Sequence, residues 1–136
     1  MGATTYRWVR EHQPDTGPGS WPYSVPAWVL THATDLVPYA GADIRFAAAD
    51  SPAALTAVHE ELTAAAGDRD VWVVGGGELA GRFADLGLLD EVDVSIAPVT
   101  IGAGAPLLPR HVELRATGSG VNGEFVCVRY DVVRGR

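Results

Sequence analysis

The 136-residue chain carries 10 basic against 17 acidic residues, a net charge of −7, with 47% hydrophobic and 20% charged residues. This composition supports a folded core and excludes a disordered segment, and the acidic balance disfavours nonspecific binding to nucleic acid or to an anionic membrane surface. Cys127 is the single cysteine and so makes no internal bridge; with no charged-then-apolar leader and no apolar run of spanning length, the expectation is a cytoplasmic protein needing neither disulfide nor structural metal.

Thr4 to His12 predicts a short helix offering Tyr6, Trp8 and Val9 for packing; at that length, tertiary contacts must hold it. Gln13 to Pro26 is a loop, crowded with Pro14, Gly17, Pro18, Gly19, Pro22 and Pro26. Ala27 to Thr31 is an apolar run suited to a buried strand, and Asp43 to Ala47 is a second, less apolar one. Ser51 then caps a helix with Pro52 at its first position, and Leu55, Val58, Leu62 and Ala65 recur at helical spacing until Gly67. Val71 to Val74, apolar throughout, reads as a strand covered on both faces. Gly75-Gly76-Gly77 follows, and Leu79, Phe83 and Leu86 predict a helix closed by Gly87. Asp93 to Val99 is a further strand, and Val112 to Gly118 and Phe125 to Val133 flank the hairpin signal Val121-Asn122-Gly123.

Strands alternating with helices and ending in a hairpin predict an α/β fold. The expected architecture is one domain, a three-layer sandwich with a mixed, mainly parallel sheet and a C-terminal antiparallel hairpin.

The segment with the most chemistry is Val71 to Leu79, a strand running through three glycines into a helix. Glycines let a ligand lie against the main chain, and the first amides of the following helix attract an anion such as a pyrophosphate. Gly75 to Ala80 also fits the dinucleotide pattern G-x-G-x-x-A. Two features disfavour a Rossmann domain: the turn lies past mid-chain, and Asp93 stands near the start of the next strand, not its end. A tight turn with no ligand is the competing reading.

The longer string Asp70-Val71-Trp72-Val73-Val74-Gly75-Gly76-Gly77-Glu78-Leu79 continues through Leu86-Gly87-Leu88-Leu89-Asp90-Glu91-Val92 to the segment Ala97 to Leu107. In order and spacing it resembles the C-terminal half of the dihydrofolate reductase-like reductases, closest to the pyrimidine reductases of riboflavin biosynthesis, the C-terminal domain type of the bacterial bifunctional deaminase-reductases. Ala27 to His32 resembles the family's "V-L-T-H" strand end, and Met1 to Tyr6 its "G-R-x-T-Y" helix start. The resemblance implies that Gly2, Thr4 and Thr5 lie near the cofactor phosphates, Thr31 and His32 near the adenosine ribose, and Gly75, Gly76, Gly77, Glu78 and Leu79 along the pyrophosphate. It implies NADPH as cofactor, with NADH as the alternative, a pterin- or pyrimidine-like heterocycle as substrate, and a homodimer. Ala3 stands where the family often has arginine, which removes one expected contact to a 2′-phosphate and leaves His32 as the nearest candidate partner. The family also implies a strand, a long helix and a second strand ahead of the "G-x-x-T-Y" helix; these are expected to be missing here, taking with them the catalytic acid and part of the substrate pocket.

Other patterns carry less. His59-Glu60-Glu61 lacks a second histidine, since position 63 is Thr63, so no zinc site is expected; Asp90, Glu91 and Asp93 form a small acidic cluster without further ligands. Trp8, Trp21, Trp28 and Trp72 are expected in the core or an interface, and Cys127, between Val126 and Val128, is expected to be inert filler. The expected activity is therefore hydride transfer from a reduced nicotinamide to the heterocycle. The alternative is an inactive nucleotide-binding or dimerisation module of the same fold.

Overall fold

The mixed α/β class expected from the sequence is the one the chain adopts in a computed structural model, which describes residues 1–134. The elements run α1 (Ala3–His12), β1 (Ala27–Leu30), β2 (Ile44–Ala47), α2 (Pro52–Ala66), α3 (Gly77–Asp85), β3 (Glu91–Ile96), β4 (Leu114–Asn122) and β5 (Phe125–Val132). They divide into two compact units, Met1–Leu79 and Ala80–Arg136.

In the first unit β1 and β2 pair in parallel, from Ala27 opposite Ile44 to Leu30 opposite Ala47. A parallel bridge between Gly2 and Leu30 adds a short rung beyond β1, held by the Leu30 amide donating to Met1 O at 2.9 Å. α1 is too short to persist alone, and its apolar side supplies the contacts that hold it: Tyr6 and Val9 join Trp21, Val29 and Tyr39 in a buried cluster. The rings meet at an angle, Tyr6 with Trp21 at 5.8 Å and with Phe46 at 5.6 Å, and Trp21 with Tyr39 at 4.9 Å, the tilted and edge-on arrangements that ring quadrupoles favour. The proline-rich loop is fixed by Asp15, whose carboxylate accepts from the Gly17 amide and the Ser20 hydroxyl at 3.0 Å each and from the Ala40 amide at 3.1 Å. Ser51 caps α2 as its sequence predicts, its Oγ accepting from the Ala54 amide at 3.1 Å; Leu55 and Val58 bury the inner face.

In the second unit β3, β5 and β4 form an antiparallel sheet in that order. The hairpin runs longer than its sequence signal: β4 continues through Gly118 to Asn122, which pairs with Phe125, and the loop is Gly123-Glu124. Gly123, at φ +60°, takes the first central position, where a two-residue turn of this hand needs a glycine. A bulge between Ala116 and Gly118 resets the register. α3 ends as Gly87 predicts, with the Gly87 amide bonded to Ala84 O and the Leu88 amide to Phe83 O, both at 2.9 Å.

Val71 to Val74 corrects a sequence expectation. The segment reads as a doubly covered strand but enters no ladder among the described residues, and Trp72 is 72% exposed. An apolar run becomes a strand only where neighbours accept its amides and carbonyls, and β1 is flanked by β2 on one side and the Gly2 rung on the other. Among the described residues, parallel pairing is accordingly confined to the first unit's short sheet. The remaining tryptophans also divide: Trp21 and Trp28 are buried, while Trp8 is exposed and stacks on His12.

Candidate functional site

Three features of the first unit converge at the carboxyl end of β1. α1 starts with Gly2 as N-cap, with no side-chain cap and no acidic residue in its first turn. Its first intrahelical bond is Tyr6 N to Gly2 O at 3.1 Å, so the amides of Ala3, Thr4 and Thr5 have no acceptor within the helix and carry the positive end of its dipole. The Gly2–Leu30 bridge fixes this helix start beside the last residue of β1, and Thr31 follows, its amide donating to Ala47 O at 2.8 Å and its Oγ1 accepting from the Ala33 amide at 2.9 Å.

The glycine turn closes on the same place. Gly75 and Gly76 have φ of +67° and +83°, backbone that a residue with a Cβ adopts only at a cost. A Cβ at Gly75 would lie 3.1 Å from Thr5 Oγ1 and 3.4 Å from Thr5 Cγ2, so the turn runs directly against the first turn of α1. α3 begins at Gly77, with Glu78 in its first turn. Of the residues predicted for cofactor contact, Gly2, Thr5, Thr31 and Gly75 are therefore brought together, with Gly76 and Gly77 continuing the turn. Thr4 is exposed on α1, and Leu79 is buried, so its side chain serves packing.

His32 leaves the end of β1 and meets a partner that the sequence did not reveal: its Nε2 contacts Asp50 Oδ1, from the segment following β2. Nothing in a one-dimensional reading joins positions 18 apart across a loop and a strand. Asp15 was also missed; its partner Gly17 is two residues away, but Ala40 is 25. The amides of Gly17 and Ala40 hold its carboxyl below the usual carboxylate range.

The second unit carries a separate open groove of about 370 Å³ on one face of its sheet, lined in part by Asp93, Ser95, Gly118, Gly120, Cys127 and Arg129. Arg129 pairs with Asp93 through two bonds of 2.8 and 2.9 Å, holding that carboxyl below its ordinary range, and lies 3.6 Å from Glu91. Arg134 contacts Asp90. The acidic cluster is thus matched by guanidinium groups, and among the described residues no group of three or more His, Cys, Asp or Glu could hold a metal ion. Cys127 is half-buried, 3.5 Å from Ser95 Oγ. Among those residues no helix is long and apolar enough to cross a membrane.

Residues 23–129 match the RibD C-terminal domain family. The chain belongs to that family. The match takes in Thr31, His32 and Gly75 to Leu79, whereas Gly2, Thr4 and Thr5 lie outside it. Two curated relatives of this RibD C-terminal domain chain come from Bacillus subtilis (strain 168), and both are uncharacterized. YyaP is 49% identical over 39 residues, which is 29% of this chain and 21% of YyaP. YwjB is 33% identical over 64 residues, 45% of this chain and 37% of YwjB. The matched segments thus span well under half of either relative. A crystal structure from Shewanella sp. PV-4, of a protein provisionally named for riboflavin biosynthesis, shares the fold. Its TM-score is 0.73 at 24% identity, over 98% of this chain and 72% of that one.

Proposed function

We propose that this RibD C-terminal domain chain binds a nicotinamide dinucleotide, NADPH or NADH, and serves hydride transfer to a small pterin- or pyrimidine-like heterocycle. One observation carries the reading: the turn at Gly75, where a Cβ would crowd Thr5, meets the start of α1, which has no side-chain cap, at the carboxyl end of β1. Outside the carboxyl ends of parallel strands is where open α/β sheets bind ligands, and helix starts favour phosphate there. The amides of Ala3 to Thr5 and of Gly76 to Glu78 would hold the pyrophosphate, with the hydroxyls of Thr5 and Thr31 as further donors. When bound, a reduced nicotinamide supplies the hydride, and the protein's part is to orient it and exclude water. Self-association belongs to the same reading: Ile96, Val126 and Val121 stand in register on one face of the second unit's sheet, all exposed, Val121 at 74%.

A second reading, a nucleotide-binding module without turnover, is favoured by Val71 to Val74, which enters no ladder beside the proposed site. Calorimetric titration with NADPH and NADH, followed by assay of cofactor oxidation with aminopyrimidine and dihydropterin substrates, separates the two. Saturable binding that Gly76→Val abolishes, together with turnover, is the expected result. Binding without turnover selects the second reading, and equal affinity in wild type and Gly76→Val removes the site assignment.

A further inference from the structure

We propose that Asp50 makes this chain select NADH over NADPH, a proposal that rests on the dinucleotide-binding reading above. β1 and β2 are parallel neighbours whose carboxyl ends lie side by side, Leu30 opposite Ala47, with Thr31 N bonded to Ala47 O. His32 stands two residues beyond β1 and Asp50 three beyond β2, and their side chains meet while staying 65% and 66% exposed. The same rim carries the start of α1 through the Gly2–Leu30 bridge. A dinucleotide whose phosphates rest on the start of α1 has a ribose within reach of the rim, next to a carboxylate.

The chemistry of that carboxylate decides what it accepts. An ionised carboxylate is acceptor-only, so it matches the two hydroxyl donors of an unmodified ribose. A 2′-phosphate offers acceptors and about −1.5 to −2 of charge to the same oxygens, and like charges at contact range repel. A dinucleotide site that tolerates the 2′-phosphate needs a cation beside it. This chain has no lysine, and the first unit has four arginines, Arg7, Arg10, Arg45 and Arg69. Arg45 is held by Asp43 at 3.0 and 3.1 Å and lies over the Trp28 ring; Arg7 faces Asp35, Arg10 donates to Val37 O, and Arg69 donates to Ala66 O. None of these contacts is with His32 or Asp50. His32 itself, the residue that sequence reasoning offered for the phosphate, already has the carboxylate against it. Ser51 Oγ is engaged in capping α2.

The test is calorimetric titration of the 136-residue chain with NADH and NADPH, for wild type, Asp50→Asn and Asp50→Arg. The repulsion between like charges in contact at the protein surface should make wild type bind NADH about tenfold tighter than NADPH. Asp50→Asn, which keeps the shape and removes the charge, should close most of that gap by improving NADPH. Asp50→Arg should reverse it. A merely structural role for Asp50 would weaken both cofactors together and leave their ratio unchanged, and that outcome overturns the proposal. So does a wild type that binds NADPH as tightly as NADH, although the dinucleotide site then stands. Binding of neither cofactor by wild type, with the fold verified by a cooperative thermal transition, sinks the dinucleotide reading and this proposal with it.

Discussion

Substituting Gly75 by alanine probes the point on which the candidate site is built. The backbone cost of an L residue at φ +67° is about 1–2 kcal/mol. To this is added the crowding of Thr5, whose Oγ1 and Cγ2 would stand 3.1 and 3.4 Å from the new Cβ and must give by a few tenths of an ångström, a repacking worth about 1 kcal/mol. Gly76→Ala isolates the first contribution: φ is +83°, but the new Cβ meets only Leu79 Cβ, at an ordinary 3.6 Å. The expected losses are thus about 2–3 kcal/mol for Gly75→Ala and about 1–2 for Gly76→Ala. Thr5→Ala should recover about 1 kcal/mol in the Gly75→Ala background and none in the Gly76→Ala background. Urea unfolding reads these directly, as changes in midpoint at constant slope. A Gly75→Ala protein within about 0.5 kcal/mol of wild type, or a Thr5–Gly75 coupling of zero, would show that the turn does not press against α1.

Ser51→Ala should destabilise the protein by about 1 kcal/mol by freeing the Ala54 amide, whereas Ser51→Gly should cost only a few tenths; equal effects in urea unfolding would argue against a cap at that position. Asp15 has a folded pKa depressed below its ordinary 3.8, chiefly by the backbone amides of Gly17 and Ala40. Its contribution to stability is therefore full above that ordinary value and is lost as pH falls through the depressed one. The stability gap between wild type and Asp15→Asn should accordingly be constant near neutrality and shrink in acid, and a gap that widened in acid would reverse the sign of this reasoning. Val121→Asp, on the exposed apolar row of the second sheet, should reduce self-association in sedimentation runs while leaving unfolding within about 0.5 kcal/mol; a wild type that sediments as a monomer at every concentration ends the dimer proposal.

Much of the fold was legible because local chemistry dictated it. Ser51-Pro52 and Gly67 bracket α2 by capping rules that act within one turn, and Gly87 stops α3 by bonds to Phe83 and Ala84. Other features depended on partners distant in sequence. Val71 to Val74 has a buried strand's composition, yet strandhood is a property of the ladder, and no neighbour among the described residues supplies one. β4 runs past Gly118 and Gly120, poor strand formers by themselves, because β5 pairs with them across a tight turn. At the site, the glycine turn was readable from the residues and the start of α1 only through the family resemblance, but their meeting through Thr5 and the placement of Asp50 on His32 were not. Both contacts join segments that only the tertiary fold brings within reach.

The most direct test of dinucleotide binding at this corner of the first unit is a residue-resolved NMR titration of the backbone amides with NADH. Saturable shifts should concentrate at Gly2 to Thr5, at Thr31 and His32, and at Gly75 to Leu79. Saturable shifts confined instead to Asp93, Ser95, Cys127 and Arg129, or no saturable shift at all, would contradict it.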